Sequence, residues 1–347
     1  MSTHTLADVA RAVGVSRTTV SNAYNRPDQL SKELRERIMA AAAELGYAGP
    51  DPVARGLRRG RTGMVGLVYD EPLSYMFTVP AAVLFVTGVA AVFDDAGISL
   101  ALLPRLRADD PGAGVLADAA VDALISFCEA TDDARVSALL ARRLPFVTVD
   151  GGSVRAPCRV SVDDRGGTRS AALHLLELGH RRLAVAALPE QRTYKGSPSA
   201  HGRDVLRSER LAGVREAVEG AGLAWDSVPV VTARVEGTRR EGGRDVGRRL
   251  LDRPDPPTGV VAMSDELAAG VLDAAAERGV AVPGQLSVVG FDDTPTAGST
   301  TPRLTTVRQP LVAKGEEVAR LVLAGAPEQD VVLPTELIVR GSTGPVP

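Results

Sequence analysis

The sequence predicts an α/β protein: an N-terminal all-α helix-turn-helix head followed by two similar lobes, each a doubly wound parallel sheet. Three observations lead there. Apolar residues recur at helical spacing before Gly63; beyond it, short apolar runs alternate with helix-length segments; and those runs are too many for one compact sheet. Alternating strand and helix signals imply parallel strands with helices on both faces. A length of 347 residues suggests two or three folding units. The expected boundaries are residues 1–48 for the head, 49–62 for a short helix and linker, and 63–347 for the two-lobed body.

In the head, Leu6, Val9, Ala10 and Val13 form one helical face, and the run stops at Gly14, a residue suited to the left-handed conformation that ends a helix. Ser16 is placed to cap a second helix with Val20, Ala23 and Tyr24 turned inward. A third helix opens at Ser31, carries Leu34, Ile38, Ala41, Ala42 and Leu45 on one side, and ends at Gly46. Next comes "PDPVARGL", Pro50 to Leu57: Asp51 can cap, Pro52 suits the first helical position, and Val53, Ala54 and Leu57 share a side. A helix of about two turns is marginal in water. Gly56 weakens it by a further ~1 kcal/mol relative to Ala.

In the body, the strand candidates are "MVGLVY", "SLALLP", "ALISF", "FVTVD", "RVSVD", "RLAVAAL", "VPVVTA", "GVVAMS" and "LSVVGF", with helices such as Gly166 to Leu178 and Asp265 to Arg278 between them. The run Phe77 to Phe93 is uncharged, but its Ala, Gly and Thr content, internal Pro80 and short length mark a buried helix rather than a membrane span. It is apolar around most of its circumference, so its excess surface either meets a second copy of the chain or lies deep within one lobe.

Composition narrows the function classes. The first 63 residues hold ten Lys/Arg against six Asp/Glu, net +4, while the remainder carries −7 of the overall −3. A basic head on an acidic body points to nucleic-acid contact at one end. The N-terminus lacks the basic start, apolar middle and cleavage site of a secretory signal, so a cytoplasmic location is expected. Cys128 and Cys158 build no disulfide framework, and no cysteine or histidine spacing suggests a metal; no cofactor is expected.

The second helix, within "GVSRTTVSNAYN", carries little apolar material. A helix that packs on one side and reads DNA on the other needs only the stripe Val20, Ala23 and Tyr24. The opposite face offers Arg17, Thr18, Ser21 and Asn22, whose donors and acceptors can reach base edges or phosphates in the major groove. The alternative is an ordinary solvated helix face.

The stretch "TLADVARAVGVSRTTVSNAYN", followed by "LSKELRERIMAAAAELGY" and "PDPVARGL", resembles the DNA-binding head of the LacI/GalR family of bacterial repressors. The resemblance implies a pseudo-palindromic double-stranded operator and a homodimer. It places DNA contacts at Thr5, Leu6, Ser16, Arg17, Thr18, Thr19, Ser21, Asn22, Asn25, Ser31, Ala54, Arg55 and Leu57. It further implies that Pro50 to Leu57 folds on the operator, pairs with its twin, and inserts Leu57 into the minor groove, with Arg55, Arg58, Arg59 and Arg61 on flanking phosphates.

The body resembles the same family through "VVGFDDTPTAGSTTPRLTTVRQP", "SERLAGVREA", "GVVAMSDELAAG" and "VSVDDRGGTRSAALHLLELGHRRLA", which implies the type I periplasmic-binding-protein fold and a small sugar-like effector between the lobes. The residues lead to the same place, because Asp150, Asp265 and Asp292 follow strand candidates, where open parallel sheets bind ligands. Carboxylates and an arginine suit vicinal hydroxyls. The resemblance assigns effector contact to Asp150, Arg210, Ser264 and Asp292, with Gln309 as a further candidate; Ser264 stands where the family usually has Asn. Tyr75, Phe77 and Phe127 are candidates to stack on a ring or, equally, to belong to the core. Asp265 is either a helix cap or a contact. A Ser264/His174/Asp292 triad can be drawn on paper, but His174 lies inside an amphipathic helix and no G-x-S-x-G accompanies it, so an enzyme is not expected.

Overall fold

A computed structural model describes residues 4–49, 61–69, 73–103, 119–127, 142–151, 156–189, 202–233 and 239–346. They divide into two compact units, Met1–Gly63 and Met64–Pro347. The segment Pro50 to Leu57, with Ala54, Arg55 and Leu57, lies outside the described residues, as does Cys128.

Among the described residues of the first unit are three α-helices: α1 (Leu6–Val13), α2 (Arg17–Asn25) and α3 (Lys32–Glu44). Each starts at a side-chain cap. Thr5 and Asp8 form a reciprocal capping box on α1; Ser16 Oγ accepts from the Thr19 N–H, and Ser31 Oγ from the Leu34 N–H. α1 ends at Gly14, with a left-handed φ of 74°. Val9, Ala10, Val20, Ala23, Ile38 and Ala42 close the core, and Tyr24 meets Tyr47 edge to face at 6.1 Å.

The second unit contains two six-stranded sheets. The first runs β11-β5-β4-β3-β1-β2, from β1 (Met64–Tyr69), β2 (Ser99–Leu103), β3 (Ala123–Phe127), β4 (Phe146–Val149), β5 (Cys158–Val162) and β11 (Gln329–Leu333). The second runs β12-β10-β9-β8-β6-β7, from β6 (Leu183–Ala187), β7 (Val230–Thr232), β8 (Gly259–Ala262), β9 (Ser287–Asp292), β10 (Thr305–Arg308) and β12 (Glu336–Ile338). All pairings are parallel except β10 with β12. Sequence patterning reveals nine of these strands. The other three are β10, a polar "TTVR"; β11, an edge strand with Val332 61% exposed; and β12, only three residues long.

Helices cover both sheets: α4 (Pro80–Ala96), α5 (Asp164–Glu177), α6 (Gly202–Gly220), α7 (Arg239–Leu251), α8 (Asp265–Glu277), the short α9 (Pro295–Ser299) and α10 (Leu311–Leu323). The apolar run from Phe77 becomes helical only at Pro80, which takes the first helical position. This helix packs against α10, and the two backbones touch: a Cβ on Gly88 would lie 2.0 Å from the Val312 carbonyl oxygen, and one on Gly315 2.1 Å from that of Phe85.

The chain crosses between lobes three times: from β5 into α5, from β10 into α10, and from β11 to β12. The first and third crossovers are tied, since the Asp163 N–H donates to the Leu333 carbonyl and Thr335 Oγ1 to that of Asp163. Among the described residues no helix is long and apolar enough to cross a membrane, and no group of three or more His, Cys, Asp or Glu side chains is arranged to hold a metal ion.

Candidate functional site

The carboxyl ends of the parallel strands of both lobes open on one cleft, of about 670 Å³ including its solvent-open mouth. Its wall includes Tyr69 ending β1, Phe127 ending β3, Asp150 after β4, Leu188 after β6, Ser264 after β8, Asp292 ending β9, and Gln309 after β10. Arg210 enters from α6 and Lys314 from α10. The structure thus gathers Asp150, Arg210, Ser264, Asp292, Gln309 and Phe127 around one space. Phe77 is placed elsewhere: it is 68% exposed and does not line the cleft, because it sits in the 3-10 turn before α4. The Tyr75 side chain lies outside the described residues.

Two of these acids sit on unusual backbone. Asp150 has φ 50° and Asp292 φ 120°. Non-glycine residues in this half of φ space cost on the order of 1–3 kcal/mol, a strain that concentrates at functional sites.

A continuous buried polar chain lines the cleft. Lys314 Nζ donates to Asp150 Oδ2 at 2.5 Å and to Gln309 Oε1 at 2.9 Å. Gln309 Nε2 donates to Asp292 Oδ1 at 2.6 Å. Arg210 lies 3.9 Å from that same oxygen, donates from Nε to Asp164 Oδ1 at 2.7 Å and from Nη1 to the Met263 carbonyl, and stacks 3.7 Å over the Phe291 ring. Asp150 and Lys314 belong to the first lobe and Asp292 and Arg210 to the second, so the chain spans both. Burial pushes the Asp292 carboxyl up to about 6, against the opposing pull of Arg210.

Sequence reasoning missed Lys314, Asp164, Leu206, Met263 and Glu266 among the cleft and network residues. Lys314 did leave a signal: it occupies the inward stripe of α10 between Leu311 and Val318, where only apolar residues are otherwise expected. In the pair Asp163–Asp164, Asp163 caps α5 and Asp164 turns inward to Arg210.

Asp265 is neither a surface cap nor a cleft-lining residue. Ser264 caps α8, its Oγ accepting from the Leu267 N–H at 3.2 Å while it also lines the cleft. Asp265 is fully buried behind it and accepts from the Thr294 N–H, Thr294 Oγ1 and Thr306 Oγ1. Burial, reinforced by the charge of Asp292, pushes its carboxyl up to about 8. His174 bonds Thr343 at 2.9 Å and does not line the cleft that holds Ser264 and Asp292.

In the head, Arg17 and Thr18 are exposed on α2, and Ser21 and Asn22 are half-buried. Asn22 Nδ2 donates to Gln29 Oε1 at 3.3 Å, while Asn25 Nδ2 donates to the Ser21 carbonyl and hydroxyl. Thr19 and Ser16 share a 2.8 Å hydroxyl contact. Thr5 and Ser31 are exposed caps, and Leu6 packs against the core.

Comparison with known proteins agrees with this architecture. Residues 5–49 match the bacterial regulatory proteins of the lacI family, and residues 172–343 a periplasmic binding protein-like domain. The chain is 42% identical to the HTH-type transcriptional regulator Rv3575c of Mycobacterium tuberculosis, over 98% of this chain and 97% of that protein. It is 34% identical to the HTH-type transcriptional regulator MalR of Streptomyces coelicolor, over 99% and 97%. Among solved structures, the transcriptional regulator CelR in complex with cellobiose superposes with TM-score 0.70 at 32% identity, covering 98% of this chain and 99% of that one. By these matches the chain belongs to the lacI family of bacterial transcriptional regulators.

Proposed function

We propose that the chain is a cytoplasmic homodimeric repressor that binds a pseudo-palindromic operator and whose operator affinity is set by a sugar-like effector held between the lobes. The observation that carries this reading is the polar chain from Asp150 through Lys314, Gln309 and Asp292 to Arg210, which lines the cleft from both lobes. A ligand that engages Asp150 and Asp292 together favours one lobe arrangement over another. A coupling of about 1–3 kcal/mol is enough to alter DNA affinity severalfold or more. Two copies fit two half-sites, and exposed Val83 on α4 with exposed Val312 on α10 provides apolar surface for a twin.

Arg17, Thr18 and Asn22 are assigned to base edges, Thr5, Ser16, Thr19, Ser21, Asn25 and Ser31 to the phosphate backbone and positioning, and Leu57 to the minor-groove wedge, with Ala54 and Arg55 beside it. Effector contact is assigned to Asp150, Arg210, Ser264, Asp292 and Gln309, with Phe127 as apolar wall. Regulation by binding, rather than catalysis, is the activity proposed.

A gel-shift against fragments of the source genome tests the reading, followed by addition of a panel of sugars to the retarded complex. Retention of a small subset of fragments and its reversal or strengthening by a sugar support the proposal. Failure to retard any duplex sinks it.

A further inference from the structure

The cleft contains two deeply buried cations, and the protein itself engages both. Lys314 has no exposed surface, and its ammonium is held by Asp150 Oδ2 and Gln309 Oε1. Arg210 is 3% exposed and committed to Asp164, the Met263 carbonyl and the Phe291 ring, with Asp292 alongside. Arg239, also on the cleft wall, acts electrostatically on Asp292.

The acceptor side differs. Asp150 Oδ1 is buried and has no hydrogen-bond partner, although Lys314 holds the other oxygen of the same carboxylate. The Asp150 side chain is only 5% exposed and lines the cleft. A buried carboxylate oxygen without a donor is costly, and a ligand hydroxyl would satisfy it. A phosphate or carboxylate at the same place would meet Asp150 and Asp292 with neither buried cation released to balance it.

We propose that the cleft takes a neutral, hydroxyl-rich ligand and discriminates against its anionic relatives, with Lys314 as the positioning residue that sets this selection. Lys314 aims Asp150 Oδ1 at an incoming hydroxyl, fixes the Gln309 amide, and keeps its own charge unavailable to an anion. The inference rests on the reading of the cleft as the effector site.

The test uses the full chain and matched probes: D-glucose and D-ribose against D-glucose 6-phosphate and D-ribose 5-phosphate, with cellobiose as a larger neutral probe, read by thermal shift and calorimetry. At least one neutral sugar is expected to raise the midpoint, and a phosphorylated counterpart to bind about tenfold or more weakly. In Asp150→Asn, neutral binding falls by about ten- to a hundredfold, as for loss of a hydrogen bond to a charged group. The phosphorylated probe then gains, because the Lys314 ammonium loses its carboxylate partner. In Lys314→Met neutral binding falls with no such gain. A role confined to folding would weaken both probe classes alike in both variants, and that result would overturn the proposal. So would a sugar phosphate that binds the unaltered protein as tightly as its neutral parent, a comparison that needs no variant to fold. Silence from every probe would remove the sugar-site reading itself and this proposal with it.

Discussion

Gln309 donates its amide N–H to Asp292 Oδ1 at 2.6 Å, so the crossover that leaves the second lobe is bonded to the carboxylate that ends the adjacent strand β9. Its other amide atom accepts from Lys314, which makes Gln309 the joint between the halves of the buried polar chain. Gln309→Leu preserves bulk but strips a partner from both ions. The expected loss is about 1–3 kcal/mol of stability, read as a lower urea midpoint with an unchanged slope. An unchanged midpoint would mean that the chain adds nothing to the fold.

Asp265 gives the stability a defined pH dependence. Its folded carboxyl titrates at about 8, against the usual value near 4, so the folded state holds a proton that the unfolded state releases. The associated stabilisation is complete below about pH 4 and disappears as pH rises through about 8. Asp292, at about 6, has finished most of its own titration by neutral pH, so Asp265 dominates the alkaline window. Asp265→Asn resembles the protonated form in shape. Its melting temperature should stay level where the unaltered protein loses a few °C between about pH 7 and 9; parallel melting curves across that window would contradict the assignment.

The contact of α4 with α10 predicts a large effect from a single methyl. Gly88→Ala drives a carbon into the Val312 carbonyl, and the helices must separate or shift. Overpacking of this kind costs about 1–3 kcal/mol, measurable by chemical denaturation. Gly298→Ala, in open space on α9, is the control and should change little.

For DNA, two substitutions separate the kinds of contact. Asn22→Ala should cost about 1–3 kcal/mol on the preferred operator and less on unrelated duplex, because base-edge bonds specify while phosphate bonds position. Leu57→Ala should weaken specific binding while leaving the salt dependence nearly intact, since a wedge neutralises no phosphate. Titrations at several salt concentrations read both. Equal operator affinity for Leu57→Ala and the unaltered chain would remove the wedge.

The head was legible because its signals are local: Ser16, Ser31 and Gly14 mark helix ends within a few residues of the side chains they serve. Asp150 and Asp292 were legible because a carboxylate after an apolar run reads as a strand end. Lys314 was overlooked because a lysine in a helix normally reads as solvated; only its place on an apolar stripe betrays burial. Asp265 was ambiguous because the preceding Ser264 caps equally well, and sequence does not show which of two neighbours turns inward. The late strands β10 and β11 were hidden for another reason. β11 pairs with β5, 171 residues earlier, and pairing at that distance leaves little trace in local hydropathy, while β10 is a run of only four residues, three of them polar.

The threefold crossing between lobes has a consequence for synthesis. The edge strand of the first sheet, β11, ends at Leu333, and α10, which packs on α4, ends at Leu323. A ribosome that has made everything through β5 has therefore delivered a lobe still lacking one sheet edge and the packing of α10 on α4. That surface stays open until nearly the whole polypeptide has emerged, and apolar surface and an unpaired strand edge left open in this way are prone to aggregation.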